Sequence, residues 1–277
     1  MSIGDRIRVA IETECSAIKA GNVHPSASFH DLEHRHFVAA ANAIGQAVDR
    51  CVGQSVGSIA MCSAQAMMDT VGTNTSLGTI LLLAPLIATH HRLGMGPIEC
   101  TAFSMALQRT LTNLTPADAQ DIYKAIQIAK PGGLGDATEM DVRGSAPKNI
   151  LDAMRLAADR DDIALQYVTQ FDLVFSLAER LQAKLAAEFA MLDAIRCLQM
   201  ELLSERVDGL IARKQGIDFA KRVQQQASRV LASGPYGSAP FEAEWLRFDD
   251  GLRDEAHRGN PGTIADLIAA ALFVLEE

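Results

Sequence analysis

The chain has 277 residues, of which 48% are hydrophobic and 21% charged, and its formal net charge is −9 at pH 7. This composition is typical of a globular domain with a large core, and the negative charge argues against a broad nucleic-acid interface, which needs a basic face. The longest apolar run, residues 80–88, is too short to span a bilayer. The charged N-terminal segment lacks the apolar region of a secretory signal, and the five cysteines form no C-x-x-C pair. We therefore expect a cytoplasmic protein with neither nucleic-acid nor membrane partners.

Apolar residues recur at helical spacing through most of the chain, and aromatic residues make up only 5% of it. This pattern predicts an all-α fold in which residues 1–277 form a single compact multi-helix bundle with a buried central helix. The predicted helices cover approximately residues 3–20, 32–52, 55–70, 98–111, 116–130, 150–158, 163–185, 186–203 and 217–232. A polar helix around Trp245 and an apolar C-terminal helix follow, while residues 204–216 are predicted to form a charged connection.

The predicted central helix follows a polar turn within residues 69–88. Gly72 and Asn74 disfavour continuation of the preceding helix, so Thr75 or Ser76 is expected to cap a new one. An N-terminus surrounded by hydroxyl and amide groups can bind an anionic group such as a phosphate. The same turn can equally be a capped core helix that binds nothing, and this stretch alone leaves both interpretations open.

A polar loop, residues 19–37, carries four of the seven histidines of the chain together with Asp31 and Glu33. The histidines are His24, His30, His34 and His36. Histidine and carboxylate clusters can bind a metal ion, but this spacing matches no established metal-binding signature. Capping or substrate contacts are therefore the favoured interpretation.

A second loop, residues 131–147, is rich in glycine and proline and carries Asp136, Glu139 and Asp141. Carboxylates on such a loop suit a magnesium-nucleotide site, because Mg²⁺ prefers oxygen ligands, although a solvated loop is the alternative. Further along, Arg213 and Lys214 could bind a phosphate chain or could form a solvated helix end.

Several motifs, taken in order, resemble those of the triphosphoribosyl-dephospho-CoA synthase family. They are KAGNVHP at residues 19–25, FHDLEHRHF at 29–37, TNTSLGTILLLAPL at 73–86 and NPGTIADLIAAALF at 260–273. Within the family, the chain is most similar to the archaeal-type and methylotroph-type branch. The resemblance implies an all-helical transferase in cofactor biosynthesis. Such an enzyme transfers the triphosphoribosyl group of ATP, through its ribosyl C1, to a ribose hydroxyl of 3′-dephospho-CoA and releases adenine.

This chemistry suggests candidate site residues. Displacement at a ribosyl C1 passes through an oxocarbenium-like state, which a carboxylate can stabilise, while another carboxylate can accept the proton of the attacking hydroxyl. The predicted catalytic residues are Asp31, Asp69 and Asp266, of which Asp69 and Asp266 are also predicted to bind the Mg²⁺ that accompanies ATP. The predicted substrate and phosphate contacts are Lys19, Asn22, His24, Asn74, Thr75, Arg213, Lys214 and Asn260.

The chain departs from the family pattern at Ala20, where the family usually has proline. It also differs at Ser76 and Leu77, where the citrate-lyase and malonate-decarboxylase accessory enzymes of the family typically have histidine and lysine. The last two changes remove possible phosphate or base contacts. Two alternatives therefore stay open. One is a related ribosyl or phosphoribosyl transfer in the biosynthesis of another cofactor, such as a methanopterin-type one-carbon carrier, and the other is a non-enzymatic nucleotide-binding helical protein. The helix faces rich in alanine and methionine are compatible with a homo-oligomer.

Overall fold

The computed structural model describes residues 1–94, 100–132, 139–254 and 257–275. These residues form fourteen α-helices and no sheet, which confirms the predicted all-α fold. The helices are α1 (Ile3–Ser16), α2 (His34–Arg50), α3 (Val56–Val71), α4 (Leu77–Leu93), α5 (Cys100–Thr112), α6 (Pro116–Ala129), α7 (Ile150–Ala157), α8 (Asp162–Thr169), α9 (Asp172–Ala186), α10 (Met191–Glu205), α11 (Gly209–Gln215), α12 (Ile217–Ala232), α13 (Ala239–Leu252) and α14 (Gly262–Leu275).

The two most apolar helices, α4 and α14, form the centre of the core and pack against each other. In α4, Leu82, Leu83 and Leu86 are at most 1% exposed. Burial of each leucine contributes about 1.5–3 kcal/mol to folding. One hydrophobic cluster joins buried residues from α1 through α14. None of the helices in the described part of the chain combines the length and apolar character needed to cross a bilayer.

Pro85 lies inside α4 and has no backbone N–H to donate to the carbonyl of Leu81. The hydroxyl of Tyr167, in α8, donates to that carbonyl at 2.6 Å. A hydrogen bond from another helix therefore replaces the one that the proline removes.

Several helix boundaries differ from those predicted. α1 ends at Ser16 and not near residue 20, because Ala17 is extended and Lys19 turns back to pair with Glu14. α2 begins at His34 and not at residue 32. The predicted start of a helix near residue 98 and residues 133–138 of the second loop, including Asp136, lie outside the described ranges.

The second half of the chain shows larger differences. The helix predicted at residues 163–185 is two helices, because Gln170 and Phe171 have φ angles of 59° and 68° and interrupt it. The following helix starts at Met191, after Glu188 with a φ angle of 62°. The segment predicted as a connection contains α11, whose N-terminus is capped by the side chain of Asp208.

Candidate active site

A cavity of about 840 Å³ lies beside the N-terminal ends of α4 and α14. This volume falls within the range of small-molecule and cofactor sites. Its wall also contains the segment after α1, the C-terminal half of α11, residues 139–142 and one face of α7. The turn before α4 and the turn before α14, which lie far apart in the sequence, therefore border one space.

Asp266 lies in the wall of this cavity, on the second turn of α14. Its Oδ1 accepts hydrogen bonds from the backbone N–H and the hydroxyl of Thr79 in α4, at 2.8 and 2.6 Å. Burial raises the pKa of Asp266 to about 7, with smaller contributions from Glu14 and Asp208, although the bonds from Thr79 oppose this shift. A carboxylate that ionises near neutral pH is suited to accept a proton from a substrate.

Gly78 allows the close approach of α14 to α4. A Cβ atom at this position would lie 2.0 Å from Asp266 Oδ2, and Gly78 itself is helical. In the described residues, neither Oδ2 of Asp266 nor the N–H of Gly78 forms a hydrogen bond. Both groups are therefore available to a molecule in the cavity.

Gly78→Ala is expected to displace Asp266, to lower the free energy of unfolding by about 1–3 kcal/mol and to reduce activity, because a methyl group cannot fit there. Urea unfolding together with an activity assay tests this expectation. Gly251→Ala is the matched control, because Gly251 is helical and a Cβ atom added to it would meet no other atom within 4 Å. This control should raise the free energy of unfolding by up to about 1 kcal/mol through helix propensity. Equal stability and activity in both variants would contradict the steric argument.

Asn74 caps the central helix. Its Oδ1 accepts a hydrogen bond from the N–H of Leu77 at 3.0 Å, while Ser76 occupies the N-cap position without a side-chain capping bond. The hydroxyl of Ser76 donates to that of Thr75 at 3.2 Å. The turn thus caps α4 and also borders the cavity, so its capping role does not exclude contacts with a ligand, which stay a prediction.

Lys19 is fully buried, and its Nζ lies 3.0 Å from Glu14 Oε1. It also donates to the carbonyl oxygen of Glu14 at 2.6 Å. Burial raises the pKa of Glu14, and the nearby Lys19 ammonium opposes this shift. Both residues border the cavity, so Lys19 stabilises a buried carboxylate beside it.

Asn22 and Asn260 connect the loop after α1 to the turn before α14. The Nδ2 of Asn22 donates to Asn260 Oδ1 at 2.6 Å, and Gln199 Nε2 donates to Asn22 Oδ1 at 2.9 Å. Gln199 is fully buried and also exchanges two hydrogen bonds with the backbone of Ala20. These bonds hold the two cavity-lining turns together.

Asp208 connects the start of α11 to the start of α14. Its carboxylate accepts hydrogen bonds from the backbone N–H groups of Ile211 and Ile264, both at 2.9 Å. Burial raises the pKa of Asp208 to about 6, and these hydrogen bonds oppose the shift. The sequence alone places this residue in a charged segment and does not predict its capping role for two helices.

Three basic side chains line one part of the cavity: Arg160, Arg213 and Lys214. Arg213 Nη1 donates to Asp161 Oδ2 at 2.8 Å, and Lys214 Nζ donates to the carbonyl of His257 at 3.1 Å. Burial lowers the pKa of Lys214. The side chain of Arg160 is exposed and forms no ion pair within the described residues. This arrangement provides positive charge for an anionic ligand.

Asp31 lies next to His257, a histidine that was not predicted from the sequence as a site residue. His257 Nε2 is 2.9 Å from Asp31 Oδ1, and His30 Nδ1 is 3.8 Å from the same oxygen. The ring of His257 stacks on Phe29, with 3.8 Å between centroids. All three polar residues line the cavity. No local pattern around His257 distinguishes it from a histidine in a polar loop, so its role depends on the fold.

Two of the predicted site residues lie elsewhere. Asp69 is exposed, accepts a hydrogen bond from Gln65 at 2.7 Å and does not line the cavity. His24 is buried, contacts Arg253 and is also not part of the lining. Burial, followed by the charge of Arg253, lowers the pKa of His24 to about 4. The structure therefore does not bring Asp69 and Asp266 together in the cavity, and the roles predicted for Asp69 and His24 stay predictions.

The other predicted residues border the cavity together. They are Lys19, Asn22, Asp31, Asn74, Thr75, Arg213, Lys214, Asn260 and Asp266. These residues come from separate parts of the chain, and their location around one cavity supports their selection as candidate site residues.

Comparisons with known proteins agree with this architecture. A crystal structure of a protein from Archaeoglobus fulgidus, provisionally named triphosphoribosyl-dephospho-CoA synthase, matches 87% of this chain and 97% of its own with a TM-score of 0.63. The two sequences are 22% identical, so this match supports a shared fold. No curated protein shows significant sequence similarity to the chain.

The profile of the ATP:dephospho-CoA triphosphoribosyl transferase family matches residues 1–277. Members of this family are enzymes that transfer the triphosphoribosyl group from ATP to dephospho-CoA. Because the match extends over all 277 residues, the chain belongs to the ATP:dephospho-CoA triphosphoribosyl transferase family.

Proposed function

We propose that this chain transfers the triphosphoribosyl group of ATP to a ribose hydroxyl of 3′-dephospho-CoA in the cavity beside α4 and α14. The observation that carries this assignment of the site is the location of Asp266. Its carboxylate has a pKa of about 7 and borders a cavity that also contains Arg160, Arg213 and Lys214. A proton acceptor and a group of cations are the components that the transfer requires.

In the proposed reaction, the bond between ribosyl C1 and the adenine nitrogen breaks while a bond from C1 to the acceptor oxygen forms. The hydroxyl proton moves to Oδ2 of ionised Asp266. Adenine leaves with the electron pair of the broken bond and takes a proton from water. Since C1 gains positive charge as adenine departs, the carboxylate also stabilises the transition state.

The triphosphate would contact the basic side chains of Arg160, Arg213 and Lys214. Arg213 and Lys214 are held by Asp161 and by the carbonyl of His257, while Arg160 has no ion pair within the described residues. The free N–H of Gly78 and the hydroxyl of Thr75 offer further donors at the N-terminus of α4. Lys19 is already bonded to Glu14, so we assign it to the positioning of that carboxylate.

Mg²⁺ is the cofactor in this proposal, and the donor set of the cavity fits it. Glu139 borders the cavity and has no hydrogen bond or ion pair within the described residues. Mg²⁺ prefers oxygen ligands and is commonly held by one or two carboxylates together with substrate phosphates. When bound, it would neutralise triphosphate charge. Glu139 would contribute the protein oxygen, which leaves Asp266 for proton transfer.

We also propose a cytoplasmic location, because the four cysteines whose side chains the structure describes are free and such thiols persist in a reducing compartment. ATP and a dephospho-CoA-like acceptor are the proposed partners. A homo-oligomer stays a prediction from the sequence.

Mass spectrometry of the purified protein incubated with ATP, Mg²⁺ and 3′-dephospho-CoA tests the function. We expect free adenine and a product that carries the added triphosphoribosyl group in equal amounts. Adenine without this product would reject 3′-dephospho-CoA as the acceptor and favour the related transfer to another cofactor precursor. Intact ATP that nevertheless binds the protein would favour the non-enzymatic nucleotide-binding alternative.

A further inference from the structure

We propose that His30, Asp31 and His257 bind a divalent transition-metal ion at the edge of the cavity. These residues offer two imidazole nitrogens and one carboxylate oxygen, and the three candidate ligand atoms all lie within 4.8 Å of one another. Two of them come from the loop between α1 and α2, and the third comes from the segment before α14. The cluster therefore exists only in the folded chain.

The distances between the ligand atoms suit a common ion. His257 Nε2 and His30 Nδ1 lie 2.9 and 3.8 Å from Asp31 Oδ1. Two ligands that coordinate one zinc ion tetrahedrally at typical bond lengths are roughly 3.3 Å apart. Each of these two separations therefore differs from this geometry by only a few tenths of an ångström, which side-chain rotation can provide.

His257 Nε2 supplies a second, independent observation. This atom is buried and forms no hydrogen bond, although a carboxylate oxygen lies 2.9 Å away. A close nitrogen and oxygen that do not point at each other are expected where both direct their lone pairs at a third atom. A metal ion would satisfy the buried nitrogen, whose unpaired state is otherwise unfavourable.

The surroundings of His257 hold its ring in place. The ring stacks on Phe29 with an angle of 18° between planes, and the backbone carbonyl accepts a hydrogen bond from Lys214. The residue has a φ angle of 52°, an uncommon backbone conformation for a residue other than glycine. Burial lowers the pKa of His257, which favours the neutral imidazole that metals require.

The ligand set indicates the class of metal. Imidazole nitrogens suit Zn²⁺, Fe²⁺, Co²⁺ and similar ions, whereas Mg²⁺ prefers oxygen ligands. Three protein ligands leave at least one coordination position for water or for a substrate oxygen. Since all three residues line the cavity, that position would be accessible to a ligand inside it. In this proposal, Asp31 is a metal ligand and not a proton acceptor.

The binding of Co²⁺ alone to the full chain, after removal of metals by a chelator, tests the site. Tetrahedral or five-coordinate Co²⁺ has a visible absorption spectrum, and calorimetry with Zn²⁺ gives the stoichiometry. We expect one ion per chain, no displacement by excess Mg²⁺, and at least about a tenfold loss of affinity in His257→Ala and His30→Ala. Asp31→Asn tests the third ligand without removing a buried side chain, because Asp31 is exposed.

His91→Ala is the matched control, since His91 lies at the C-terminal end of α4 and does not line the cavity. It should bind Co²⁺ as the parent protein does. The absence of stoichiometric binding, or equal affinity in the parent and in both the His257 and Asp31 variants, would overturn the proposal. The experiment contains no ATP or acceptor, so its result is independent of the transfer assay: metal binding without transfer would reject the proposed function alone.

Discussion

Asp266→Asn is expected to reduce turnover by about 10²–10⁴-fold while leaving the fold intact, because an amide cannot accept the proton of the attacking hydroxyl. The amide oxygen can still accept both hydrogen bonds that Thr79 donates to Asp266 Oδ1. Adenine release under saturating ATP measures the effect. Asp250→Asn is the matched control, since Asp250 is exposed on α13 and does not border the cavity.

The pH dependence separates a proton acceptor from a structural group. Asp266 has a pKa raised to about 7, so its carboxylate is protonated below this pH and ionised above it. The turnover of the parent protein should therefore rise as the pH increases through about 7. The residual turnover of Asp266→Asn should lack this step. Retained turnover, or an unchanged pH profile in the variant, would remove Asp266 from the proton-transfer role. Weaker activation by Mg²⁺ at unchanged maximal turnover would indicate a metal ligand.

The raised pKa of Asp266 also makes the stability of the folded chain depend on pH. Because the folded pKa of Asp266 is higher than that of an unfolded aspartate, the native state binds this proton more tightly. The contribution of Asp266 to stability is therefore most favourable in acid and declines as the pH rises through about 7. Between mildly acidic and mildly alkaline pH, the free energy of unfolding of Asp266→Asn should therefore fall less than that of the parent protein.

Lys19→Met is expected to lower the free energy of unfolding by about 3–5 kcal/mol, because it leaves Glu14 buried without its ionic partner. Lys19 Nζ lies 3.0 Å from Glu14 Oε1, and no other hydrogen bond reaches that oxygen in the described residues. Urea unfolding measures the loss. Lys221→Met is the matched control, since Lys221 is exposed on α12, and it should change stability by less than about 0.5 kcal/mol.

A double variant distinguishes the lost ion pair from lost packing. Adding Glu14→Gln to Lys19→Met removes the unpaired buried charge and should recover a large part of the stability. No recovery would assign the loss to the volume of the lysine side chain. A loss of less than about 1 kcal/mol in Lys19→Met alone would contradict the importance of the pair.

Sequence patterns predict a helix well where the capping residues or the apolar residues of that helix lie within its own segment. Thr115, Pro116 and Asp118 predict the start of α6, and the structure shows a capping box in which Thr115 and Asp118 bond reciprocally. The nearly continuous apolar sequence of α4 likewise predicts its burial, since few polar groups would face water.

The errors occur where tertiary contacts decide the local structure. The end of α1 depends on a lysine that turns inward to a glutamate, and the break before α9 depends on Phe171, which is fully buried in a left-handed conformation. Neither Lys19 nor Phe171 belongs to a residue type that typically ends a helix. His257 and Asp208 contribute to the site through partners distant in sequence, whereas Asp69 was selected because it is adjacent in sequence to the turn before α4.

The bonds between the central helices also determine how the cavity can admit substrate. Asp266 connects α14 to α4, and Asp208 connects α11 to α14, each through backbone N–H groups. Sliding of these helices would break charge-assisted hydrogen bonds of about 1.5–3 kcal/mol each. The part of the cavity that these helices form is therefore preorganised and contributes little reorganisation energy to the reaction. Movement at the rim, where Arg160 and Glu139 are exposed and Asp31 lies beside His257, would leave these bonds intact.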